Sequence, residues 1–180
     1  LWHHHMFRKS RPYEGSCHIP LFFSAGKNVL PQIHPSTVCH GVAELRDIMP
    51  TLLDIAGAEI PDSVDGESLL PLAEDTGKRI RPWLHGEHSY GEFSNHWIVT
   101  ETDKYVWLPQ TGQEQYFDLV SDPHELTDRI NDPSCTARIG KLRGYLIQSL
   151  TGRAEGFTDG ERLISGREYT PTLPSVTDVG

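Results

Sequence analysis

The chain has 180 residues, enough to bury one hydrophobic core or one and a half. Its formal charge of −9 and pI near 5.5 argue against a nucleic-acid backbone as partner, and no apolar run is long enough to span a bilayer. Three cysteines, Cys17, Cys39 and Cys135, show no metal-ligand or disulfide spacing, and the odd count leaves at least one unpaired. The chain opens Leu1-Trp2 with neither an initiator Met nor a signal-peptide pattern, which suggests a piece of a longer protein.

The first stretch is rich in His and in cations. Three consecutive histidines, His3-His4-His5, cannot all face one ion on a regular element, so a solvated terminus, or one His lining an anion pocket, is the better expectation. Arg8, Lys9 and Arg11 precede Tyr13-Glu14-Gly15-Ser16. A fixed ammonium here can hold an oxygen of sulfate, phosphate or carboxylate; the plain alternative is a solvated basic loop. Residues 19–23 and 38–45 read as two short strands. A helix then runs from Asp47, read as its N-cap, to the stop at Gly57, with Pro50 in the first turn. Ile48, Leu52 and Ile55 give it an apolar stripe that Met49 and Leu53 widen, so it is expected to be a buried connecting helix. Strand, loop, strand, helix is the pattern at the end of an α/β sheet.

Residues 61–71 read as a loop with a turn at Asp65-Gly66, and residues 73–81 as a polar boundary. Strands are predicted at 83–88, 96–101, 104–108 and 115–119, an antiparallel meander. Trp97, Val99, Tyr105, Trp107, Tyr116 and Phe117 supply faces that one helix could cover. That helix is predicted over 133–150, capped by Asp132, with Ile139, Leu142 and Leu146 on its apolar stripe. Gly140 and Gly144 weaken it unless they allow close approach to the sheet. The segment 153–180 reads as a wrapping tail or a partner arm. In His85-Gly86-Glu87-His88, either an exposed strand end or an acid/base pair of Glu87 with His88 is open.

Taken in order, these stretches resemble the sulfatases of the alkaline phosphatase superfamily. Lys9 with Tyr13-Glu14-Gly15-Ser16 and His18-Ile19-Pro20 is similar to the family's Lys segment, with His18 where Arg is usual. Val42-Ala43-Glu44-Leu45, then Asp47 to Gly57, is similar to the helix that follows. Asp65-Gly66-Glu67-Ser68-Leu69-Leu70-Pro71 is similar to the next loop. Lys104-Tyr105-Val106-Trp107, Glu114 to Leu119 and Asp122-Pro123-His124-Glu125-Leu126 are similar to the C-terminal subdomain.

The resemblance implies an α/β fold, the end of an alkaline-phosphatase-like domain over 1–75. A small α+β subdomain with an antiparallel sheet and one packed helix would follow over 76–152, then an extended tail over 153–180. It implies hydrolysis of aryl or carbohydrate sulfate esters by the complete enzyme, with Lys9 binding sulfate and His4 and His88 as further substrate contacts. Calcium or a similar divalent cation and a formylglycine nucleophile would serve that enzyme. This chain has no Cys-x-Pro-x-Arg, since Cys135-Thr136-Ala137-Arg138-Ile139 departs from it at the Pro and Arg positions, and none of the paired aspartates. It is therefore expected to hold neither cofactor, to be inactive alone and to self-associate. The rival readings are a phosphonate or phosphate ester hydrolase of the same superfamily, or a non-catalytic module that binds a glycan or a partner.

Overall fold

The structure, a computed structural model, describes residues 3–6, 10–26, 30, 33, 35–89 and 91–167. Lys9 lies outside the described residues. In chain order the helices and strands are α1 (Glu14–Cys17), α2 (Ile48–Ile55), α3 (Leu70–Glu74), β1 (Leu84–His88), β2 (Asn95–Val99), β3 (Asp103–Trp107), β4 (Glu114–Asp118) and α4 (Thr136–Leu150). The chain forms two compact units, one of Leu1–Ile19 with His85–Gly180, the other Pro20–Leu84. Among the described residues no helix is long and apolar enough to cross a membrane.

The first unit is built on one sheet of order β1-β2-β3-β4. Its register sets Ile98 opposite Tyr105 and Tyr105 opposite Tyr116. Alternation along each strand then sorts the side chains into two faces. His96, Ile98, Tyr105, Trp107 and Tyr116 share one face, and α4 covers it with buried Ile139, Leu142, Leu146 and Leu150. Two ion pairs pin the helix there: Arg143 to Glu114 at 2.7 Å and Arg138 to Asp103 at 2.6 Å. Gly140 and Gly144 are exposed, and a Cβ at either would meet nothing within 4 Å, so they do not serve close packing. The tail turns back on the same face, where Phe157 is buried edge-on to Trp107.

The other face carries Trp97, Val106 and Phe117 and is covered by the N-terminal segment, through Tyr13. The sheet is thus packed on both faces, and residues 10–14 belong structurally with a sheet whose strands lie some hundred positions later.

The second unit is held by polar pins around α2. Asp47 is fully buried, but it does not cap α2 as expected. Its carboxylate instead accepts from Nη1 and Nη2 of Arg81, each at 2.6 Å, and from the backbone N–H of Glu44 and of Glu67. Thr51 Oγ1 accepts from Leu69 N at 2.8 Å, and Ser68 donates to Asp54 at 2.5 Å. These bonds hold the 65–71 loop on α2, and Gly66 is needed because a Cβ there would overlap the Arg46 carbonyl. Leu70 to Glu74, read in part as loop, winds into α3, with Pro71 in the first turn where it lacks no bond.

Two strand expectations fail. Residues 19–23 and 38–45 are irregular, apart from the 3-10 turn that begins at Leu45, and Phe22 is 82% exposed. A strand exists only if a neighbouring backbone completes its ladder, and no described strand lies beside either run. The stripe of α2 also differs from expectation: Ile48, Met49 and Leu52 are exposed, and Pro50 and Thr51 are the buried residues.

Candidate functional site

Two constellations in the first unit carry charge or metal-binding chemistry. The first anchors the segment that follows Lys9. Asn95, buried at the start of β2, donates from Nδ2 to the carbonyl of Ser10 at 3.1 Å. Lys104, fully buried on β3, donates to the Pro12 carbonyl at 2.8 Å and to Glu14 Oε1 at 2.5 Å. Its third partner is Glu125, also buried, 2.8 Å away. Glu125 in turn accepts the Glu14 backbone N–H at 2.5 Å. Tyr13 stands edge-on to Phe117 and donates from its hydroxyl to Gln115.

A buried ammonium needs such compensation, since desolvating it costs several kcal/mol. Here two carboxylates and a carbonyl supply it. Burial pushes the Glu14 carboxyl up, but Lys104 and then His18 outweigh that and hold it below the ordinary carboxylate value. Glu125 sits at φ 55, a left-handed backbone uncommon for a non-Gly residue, which aims its carboxylate under the N-terminal segment. The Tyr-Glu-Gly-Ser motif is therefore a clamp: Tyr13 packs, Glu14 pairs, and residues 10–14 are fixed.

His4, expected near substrate, stacks its ring on Tyr13 at 4.1 Å and approaches the His124 carbonyl at 3.2 Å. His88 closes β1 half-buried. Neighbours along a strand point to opposite faces, so β1 directs Glu87 and His88 apart, against the acid/base-pair alternative. The partners of Glu87 are Arg153, at 2.7 Å, and His96.

That pairing belongs to the second constellation. His85 and Glu87, two apart on β1, share a face with His96 of β2, and their ligand atoms all lie within 4.8 Å of one another. Burial, with the His85 ring beside it, pushes the His96 imidazolium down to about 4 against the pull of Glu87, so His96 is neutral near pH 7. Burial pushes Glu87 up, but Arg153 outweighs it and keeps the carboxylate charged. The motif His-Gly-Glu-His showed two of these residues in the sequence. His96 could be found only through strand register.

Among the described residues this is the one group of three His, Cys, Asp or Glu able to hold an ion together. It does not fit the calcium that the resemblance implies, because calcium takes six to eight oxygens and two of these three donors are imidazoles.

The sheet backed by α4, with residues 10–14 clamped on its far face, is a module whose class the relatives of the chain identify as the C-terminal region of the sulfatases. The family described as N-sulphoglucosamine sulphohydrolase, C-terminal, matches residues 3–151, and the chain belongs to that sulfatase family. It is 52% identical to an arylsulfatase of Clostridium perfringens over 163 residues, covering 91% of this chain and 34% of that protein. It is 36% identical to human arylsulfatase K over 141 residues, covering 69% of this chain and 24% of that protein. Among solved structures, a candidate sulfatase of Bacteroides thetaiotaomicron is similar with a TM-score of 0.53 and 26% identity, over 72% of this chain and 29% of that one. The chain thus spans about a third of the Clostridium relative's length and about a quarter of the human one's.

Proposed function

We propose that this chain is the C-terminal portion of a sulfatase that hydrolyses sulfate esters, and that Lys9 is its contribution to the reacting sulfate. The observation that supports this most is the clamp on residues 10–14: Asn95, Lys104 and Glu125 fix the backbone that begins one residue after Lys9. A cation assists a reaction in proportion to how firmly it is aimed, because a preorganised charge spends nothing on reorganisation as the transition state forms. The ammonium of Lys9 would neutralise a sulfate oxygen as charge moves from sulfur toward the leaving group. The residues of this chain supply anion binding and orientation. Its sequence has no Cys-x-Pro-x-Arg formylglycine motif. Both relatives carry arylsulfatase in their names, which makes an aryl sulfate the first substrate to test, with N-sulphoglucosamine second from the family description.

The test is Lys9→Ala in the complete enzyme. Loss of a donor that acts in the transition state costs about 3 kcal/mol, on the order of 100-fold in kcat/KM. The expected result is that loss with an unchanged melting temperature. Full turnover by the folded variant would make Lys9 a solvated surface residue.

A further inference from the structure

We propose that His85, Glu87 and His96 form a binding site for a divalent transition-metal ion, with zinc the best fit. His85 Nε2 stands 3.2 Å from His96 Nδ1, and His96 Nδ1 stands 3.5 Å from Glu87 Oε2. Ligand atoms bound to one tetrahedral zinc at about 2.0–2.1 Å lie roughly 3.3–3.4 Å apart. Two edges of the coordination shell therefore already have close to the required length. Two imidazoles and one carboxylate with a free fourth position are the donor set of a zinc site that keeps room for water or a substrate atom. Hard cations that demand oxygen ligands fit it poorly.

The ligands are held from behind. The His96 ring packs against both Trp107, 5.9 Å away, and Phe157, 5.5 Å away, which also touch each other, and is itself buried. The β1 backbone is set against the Trp97 indole at Gly86, where any Cβ would overlap that ring; this fixes His85 and Glu87 on the opposite face. Arg153 binds both oxygens of Glu87, at 2.7 and 3.3 Å, and its charge is offset by Glu155 at 2.6 Å. Ligating carboxylates are commonly oriented by such outer hydrogen bonds. The Glu87 side chain is 45% exposed, which gives the ion a way in.

The experiment is titration of the metal-stripped chain with cobalt(II), read by visible absorption, then displacement by zinc. One equivalent should develop the bands of four- or five-coordinate cobalt, and zinc should bleach them. His85→Ala and Glu87→Gln should each weaken binding by more than about tenfold. Neither residue is buried in the core, so the fold should survive, as circular dichroism will show. A variant with His3, His4 and His5 all changed to Ala should keep the bands. No bands, bands indifferent to His85→Ala and Glu87→Gln, or bands lost with the N-terminal histidines would each overturn the proposal.

Discussion

Asp47 shows how one residue type can be read correctly as important and wrongly as to role. An Asp ahead of an apolar helical run is an N-cap by pattern, yet its carboxylate joins three segments through Arg81 and two backbone N–H groups. Nothing local to Asp47 announces Arg81, which is 34 positions away. Burial raises its pKa, but the hydrogen bonds from Arg81, Glu67 and Glu44 outweigh that, and the net value lies below the ordinary one. A depressed folded-state pKa stabilises the fold above the unfolded value near 3.9, and that stability is lost as pH falls through the folded value. Urea unfolding should thus show Asp47→Asn less stable than the parent at neutral pH, with the gap closing as pH falls through the acidic range below the unfolded value near 3.9. A gap that stays constant over that range would contradict the assignment.

At the scale of elements, the four strands and α4 were legible because their cues are local. Alternating aromatic and β-branched residues lie between turn signals, and Asp132-Pro133 opens a helix with a clean apolar stripe. Each observed strand starts within one residue of its predicted start. The exception in α4 is instructive: Gly140 and Gly144 face open space, so nothing offsets their poor helix propensity. Gly144→Ala should stabilise the protein by about 1 kcal/mol in denaturant melts. A destabilised variant would mean that some contact requires the glycine.

The cover on the second sheet face was not legible. Lys104 and Glu14 lie 90 positions apart, and a lysine in a strand reads as solvent-facing until its burial is seen. Replacing Lys104 with Ala strands Glu125 without its cation and should cost about 3–5 kcal/mol, the range for breaking a buried pair. A loss below 1 kcal/mol would show that the clamp contributes little to holding the N-terminal segment.

For the whole molecule, the strands expected at 19–23 and 38–45 are the informative failures. Their apolar character is real: Phe22, Leu21 and Val38 are exposed, as are Leu45, Met49 and Leu52 around α2. A sequence reports that a run is apolar, and the surroundings decide whether it becomes a strand. Exposed apolar surface of this kind promotes association, and in the proposed complete sulfatase further chain would cover it. Sulfate ester cleavage also needs a nucleophile, and the anion binding proposed for Lys9 would lower no barrier without one positioned beside it. The most direct measurement is aryl sulfate hydrolysis, with calcium present, by this chain alone and by a chain extended to the length of its arylsulfatase relatives, each followed by light scattering. The extended chain should turn over as a well-behaved species, and the 180-residue chain should give no hydrolysis and should self-associate. Metal-dependent turnover by a monomer of the 180-residue chain, free of contaminating sulfatase, would contradict the account.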